Sequence, residues 1–140
     1  MIRSRNLKIA VIAATLFAFM AMTGSVFAVE NDYGFSFKLK SGYANSYSAK
    51  RYRQTTNENN KWKVDMQYNS EGKGCKATYW LAKNNDARTV VSNTHTIKQG
   101  SGAHYYKATA GASKTYVRLA AENNNDAVCT VSGYWDEEID

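Results

Sequence analysis

The sequence predicts an all-β protein: a single antiparallel β-sandwich, Ig-like or jelly-roll-like, of about seven strands, behind an N-terminal export signal. Three observations carry this prediction. After residue 30, apolar and polar residues alternate with a period of two through most of the chain, the pattern of strands buried on one face. Clusters of Gly, Asn, Ser and Asp interrupt the alternation every 8–15 residues, the turn spacing of a sandwich or small barrel. No stretch beyond the signal reads as a helix.

Residues 1–28 have the three parts of a secretory signal. Arg3, Arg5 and Lys8 are basic, Ile9 to Met22 is apolar, and Val26-Phe27-Ala28 supplies the small-residue end, with cleavage expected between Ala28 and Val29. The apolar run is short for a membrane span, which needs ~20 residues, and no second run follows. The expectation is a secreted protein, extracellular or wall-associated, with no transmembrane span in its mature chain. The alternative is an uncleaved anchor. The mature domain, residues 29–140, then has 140 − 28 = 112 residues, enough for one core.

The elements follow in order. Tyr33 to Lys40 places Tyr33, Phe35, Phe37 and Leu39 on one face and Gly34, Ser36, Lys38 and Lys40 on the other, a half-buried strand. A short strand is expected around residues 48–53, then a polar loop to Asn60. Lys61 to Tyr68 carries Trp62, Val64, Met66 and Tyr68 on one face, and Cys75 to Ala82 carries Cys75, Ala77, Tyr79 and Leu81. Between them Asn69 to Gly74 has turn chemistry, so the two runs read as a central hairpin. Lys83 to Ala87 is a turn. Residues 88–97, 104–109, 114–121 and 127–135 supply the remaining strands, and Asp136 to Asp140 reads as an acidic tail.

Charge and cysteines narrow the function classes. Three of the 18 basic residues and none of the 12 acidic ones lie in the signal, so the mature net charge is 15 − 12 = +3. That modest excess does not imply nucleic-acid binding and suits loose association with an anionic envelope surface. Cys75 and Cys129 are expected to pair after export, since both point inward in one register. Two separate thiols or a cross-chain bridge are the alternatives. In that register Trp80 points outward.

Sites with reactive chemistry are scarce. His95 and His104 flank a Gly-rich loop and could face each other in a hairpin, but they lack zinc spacing. Asn123 to Asp126 has oxygen ligands without a calcium-loop pattern. No Gly-x-Ser-x-Gly elbow is present, and most carboxylates lie in turns or in the tail. No catalytic, cofactor-binding or metal residue is assigned, and no cofactor is expected. Lys50-Arg51-Tyr52-Arg53 mixes cations with an aromatic ring. Tyr47, Tyr52, Trp80, Tyr105, Tyr106 and Tyr134 are too many for one inner face, so some form an exposed platform for sugars or another protein. Trp80, Tyr52, Arg51 and Arg53 are the candidate contact surface.

Asn31 to Phe37, Trp62, Tyr79-Trp80-Leu81 and Val131 to Trp135 resemble a family of small secreted Gram-positive proteins of unknown function. The resemblance spans the mature chain and implies no catalytic residues. Size, export signal and aromatic β pattern are also similar, by architecture alone, to lactococcin 972-type bacteriocins. The expected function is that of a secreted, non-enzymatic sandwich binding an anionic cell-wall polymer or another extracellular protein. A bacteriocin-like toxin and a secreted hydrolase are the alternatives.

Overall fold

The structure is a computed structural model that describes residues 31–83 and 89–139. The export signal and most of the turn expected at residues 83–87 lie outside the described residues. Among the described residues nine strands run in chain order: β1 (Tyr33–Leu39), β2 (Ser46–Tyr47), β3 (Arg51–Arg53), β4 (Lys61–Asn69), β5 (Lys76–Lys83), β6 (His95–Lys98), β7 (His104–Tyr106), β8 (Thr115–Asn123) and β9 (Cys129–Ile139). A 3₁₀ turn at Ala110–Ala112 is the only helical element among the described residues. No helix there is long and apolar enough to cross a membrane.

The strands form two antiparallel sheets packed as a sandwich. The first has the order β1-β9-β4-β7, and the second β2-β8-β5-β6, with β3 also pairing β8. The inner faces are those the alternation predicts. Phe35, Phe37 and Leu39 of β1 and Trp62, Val64 and Met66 of β4 meet Tyr79 and Leu81 of β5 and Val117 and Leu119 of β8 in one core. The sandwich class is thus the predicted one, with nine strands rather than about seven because residues 43–60 contribute two very short ones.

The central hairpin does not form. β4 pairs β9 and β7 in the first sheet, whereas β5 pairs β8 and β6 in the second. The turn after Asn69, with Gly72 and Gly74 at positive φ, carries the chain from one sheet across to the other. Alternation cannot separate these outcomes. Trp62 and Tyr79 are equally apolar-inward whether their strands lie side by side or face each other.

A second departure lies within β4. Its register against β9 shifts between Met66 and Tyr68, so Gln67 is an inserted bulge residue. One extra residue exchanges the two faces. Tyr68 is therefore exposed and Asn69 buried, the reverse of the expectation. On the partner strand Gly133 sits opposite Met66, where a Cβ would stand 1.9 Å from the Asp65 carbonyl oxygen. The backbones approach closely enough at this bulge that only glycine fits.

The acidic tail is also a strand. β9 runs to Ile139, and Asp136 and Glu137 are buried. Asp136 accepts the Asn31 N–H at 2.6 Å, and the Glu138 carboxylate accepts the N–H groups of Gln54 and Thr55 at 3.0 and 2.8 Å. Burial pushes the carboxyls of Asp136 and Glu137 up; the Glu138 and Asn31 N–H groups and the Lys63 and Arg51 charges oppose it at Asp136, and Arg51 opposes it at Glu137.

Two substitutions test this packing. Trp62 is fully buried, and Trp62→Ala is expected to cost about 3–5 kcal/mol in denaturant melts; a loss below about 1 kcal/mol would contradict the inner-face assignment. Gly133→Ala adds one methyl group against the Asp65 carbonyl and is expected to cost about 1–3 kcal/mol. Stability equal to the parent protein would show that the bulge is not held by this contact.

Candidate functional site

On the outer face of the first sheet the ladder sets residues in rows. Gly34 of β1 lies opposite Tyr134 of β9, and Tyr134 in turn lies opposite Asp65 of β4. In the next row Ser36 lies opposite Ser132, and Ser132 opposite Tyr68. Between these rows is a shallow groove of about 420 Å³ lined by Gly34, Phe35, Ser36, Gln67, Ser132, Gly133 and Tyr134. The volume falls within the ~300–1,000 Å³ of small-ligand clefts. Tyr134 is 42% exposed and forms a wall. The bulge at Gln67 brings its carboxamide and Tyr68 to this face. What the groove offers is the Tyr134 phenol ring, two serine hydroxyls and an amide, with no charged side chain in its lining.

The predicted contact surface is largely dismantled by the fold. Trp80 does point away from the main core, but it is only 4% exposed, packed with Ala82, Ala120 and Tyr47 in a second small cluster. The two alanines make a flat bed for the indole. Arg53 is 2% exposed; its guanidinium donates to the carbonyl oxygens of Asn60 at 2.6 Å and Glu137 at 3.0 Å. Arg51 is half-buried, donating from Nε to Glu137 Oε2 at 2.7 Å while lying over the Tyr33 ring. Both arginines thus anchor β3 to the end of β9 and do not serve as a cationic patch. Tyr52 alone matches the expectation: it is 43% exposed, edge-on to Tyr116 at 5.2 Å, with the Lys50 ammonium 5.0 Å from the Tyr116 ring centre. Of the wider tyrosine platform, Tyr105 and Tyr134 are exposed, and Tyr47 and Tyr106 are half-buried.

The expected bridge between Cys75 and Cys129 is not formed. Cys75 precedes β5, in the turn that changes sheets, and is half-exposed; Cys129 opens β9, buried opposite Leu39. The inward register of β5 starts only at Ala77, because the strand begins one residue later than predicted. Burial first, then the neighbouring Glu71 carboxylate, pushes the Cys129 thiol up to about 11. It is therefore almost entirely protonated at neutral pH and a poor nucleophile.

His95 and His104 do not form a hairpin pair either, since β6 belongs to the second sheet and β7 to the first. Instead the His95 ring stacks on Tyr106, 3.5 Å between centres and 5° from parallel, with Trp62 5.4 Å from Tyr106. This stack joins the two sheets where their outermost strands meet. His104 hydrogen-bonds Ser101 Oγ at 2.7 Å. Among the described residues no group of three His, Cys, Asp or Glu could hold a metal ion. The asparagine side chains of this turn are engaged: the Asn125 side-chain oxygen accepts the Ala127 N–H, the Asn123 oxygen accepts the Asn124 N–H while its amide donates to Asn125 and to the Ala127 carbonyl, and the Asn124 oxygen accepts from the Thr78 hydroxyl of β5.

Sequence reasoning missed Gly34, Ser36, Gln67, Ser132 and Gly133. A signal was available in two of them. Gly34 interrupts a strongly alternating strand, and Gly133 stands between Ser132 and Tyr134, both places where glycine is costly unless something approaches closely.

The stack generates a pH prediction. Burial lowers the His95 pKa below its ordinary 6.5. The unfolded chain then binds the proton more tightly than the folded one, so stability is lost as pH falls through the ordinary value toward the folded one. Urea melts between about pH 7.5 and 5 should show a smaller loss on acidification for His95→Asn than for the parent chain. Identical slopes would show that His95 titrates alike in both states.

The comparisons bear on identity. No curated protein matches the chain, and neither does any solved structure. The sequence pattern of one family, described as protein of unknown function, DUF2712, matches residues 24–139. That span takes in both sheets, the bulge and the groove, and the chain is a member of the DUF2712 family of proteins of unknown function.

Proposed function

We propose that this chain is an exported, non-enzymatic recognition domain that holds a cell-envelope polymer against the outer face of its first sheet. The groove beside Tyr134 carries the reading. It combines an exposed aromatic wall with two serine hydroxyls and the Gln67 carboxamide, which also reaches Asp65, on a paired sheet.

The non-enzymatic part rests on how the reactive groups are held. The Cys129 thiol is kept protonated. Ser101 Oγ lies 2.7 Å from His104 Nε2 and also 2.7 Å from the Lys98 carbonyl. A hydroxyl that donates to that carbonyl has no proton left to give the histidine, so the carbonyl competes with His104 for the role of its acceptor. Export rests on the composition of residues 1–28.

The test is sedimentation with isolated Gram-positive cell walls, using protein purified after expression of the full chain. The parent protein should pellet with the walls. Tyr134→Ala should weaken retention roughly threefold to tenfold, as loss of an aromatic contact worth ~0.5–1.5 kcal/mol implies. Tyr52→Ala, on the other sheet, should not change it. No sedimentation by the parent, or equal retention of the Tyr134 variant, would refute the proposal.

A further inference from the structure

We infer that the groove takes an uncharged glycan, one sugar ring being seated over Gly34 against the ring of Tyr134. This rests on the envelope-binding reading and narrows it to one ligand chemistry.

The first support is Gly34 itself. It lies inside β1, paired to Tyr134, with its neighbours Tyr33 and Phe35 paired to Trp135 and Gly133. Its φ is not left-handed, so the backbone does not require glycine. Neither does packing: a Cβ at Gly34 would meet nothing within 4 Å, in contrast to Gly133 one row away. A glycine inside a strand weakens the strand, and it marks a place where something approaches closely. An aromatic residue opposite often lies across such a glycine and covers it. Tyr134 does not, since no atom of its ring comes within 4 Å of that Cβ position. The glycine leaves an open floor, and the tyrosine stands beside it as a wall.

The second support is the chemistry of the lining. Ser36 and Ser132 face each other across the ladder, and Gln67 is presented by the bulge. Hydroxyls and carboxamides both donate and accept, which suits sugar hydroxyls on either side of a ring. The apolar C–H face of a pyranose suits the Tyr134 ring. Because β1 is the outermost strand of its sheet, the groove is open past that edge, and a polymer could run through it.

The third support is where the cations went. Arg51 and Arg53 are bound to Glu137, its carbonyl and Asn60, and Lys63 is paired with Asp32. Asp65, the nearest charge in the Tyr134 row, stands on the far side of that ring from Gly34. No cation lines the groove itself; the one on this face of β1, exposed Lys38, lies in the next outward row past Ser36, opposite Thr130.

The experiment titrates the full-chain protein with cellopentaose and chitopentaose as uncharged probes and with polyphosphate as the anionic one. Gly34→Val is compared by the same titrations and by thermal melting. The expected result is binding of at least one pentasaccharide that also displaces the protein from cell walls. It should be unchanged between about 0.05 and 0.5 M NaCl, since screening acts only on charges. Gly34→Val should lose at least tenfold in affinity while its melting temperature holds or rises, because a β-branched residue fills open space in a strand. The inference is overturned if walls retain the protein but neither sugar competes, if polyphosphate competes and salt releases it, or if protease treatment of the walls abolishes retention. It is equally overturned if Gly34→Val binds walls normally or melts lower than the parent. If walls never retain the parent protein, the envelope-binding reading fails as well.

Discussion

The first sheet depends on β9 being inserted between β1 and β4. These two strands come early in the chain, and neither pairs with the other. Both wait for a strand encoded after residue 128. Once in place, β9 supplies Val131 and Trp135 to the core and Tyr134 and Ser132 to the outer face. Pairing so distant in sequence carries a loop-closure cost before any contact rewards it, so folding of this sheet belongs to the slow, non-local kind. The insertion also tolerates no side chain at Gly133, because the β4 backbone bends toward it at the Gln67 bulge.

That single bulge links packing to surface chemistry. Upstream of it, β4 turns Trp62, Val64 and Met66 inward; beyond it the faces exchange, and Tyr68 joins the outer face while Asn69 is buried. Without the shift, Tyr68 would follow Met66 into the core and Asn69 would face outward. The bulge therefore performs two tasks, ending the apolar run of β4 and placing polar groups beside Tyr134.

Part of the electrostatics works inward in this molecule. A chain with an excess of positive charge invites a reading as a cationic binder. Three of its cations are drawn to the end of β9, where Arg51 meets Glu137, Arg53 meets carbonyl oxygens and Lys63 meets Asp32, while lysines such as Lys38, Lys40, Lys61 and Lys76 stay exposed. Buried ionic groups of this kind recover little beyond their own desolvation cost, but they define which strands may lie together. Here they hold the short β3 to the C-terminal end of β9, and the groove on the outer face of the first sheet is lined by no charged side chain.

The sequence by itself determined the all-β class, the inward faces of β1, of β5 from Ala77 and of β4 up to its bulge, and the limits of β1, β4, β5 and β8 to within a residue or two. Alternation reports which side of a strand is buried, and that depends only on neighbours along the chain. Tertiary structure decided the rest. It separated β4 from β5 into different sheets, because alternation is satisfied equally by side-by-side and face-to-face strands. It turned the acidic segment into a buried strand end, because carboxylates become tolerable there only when Asn31, Arg51, Gln54 and Thr55 converge from 80 or more residues away. It buried Trp80 and Arg53 and left the thiols apart, since each outcome turns on what the opposite element brings. The groove was half legible: Gly34 is conspicuous in the sequence, but its partner Tyr134 lies 134 − 34 = 100 positions away, and only the ladder sets them side by side.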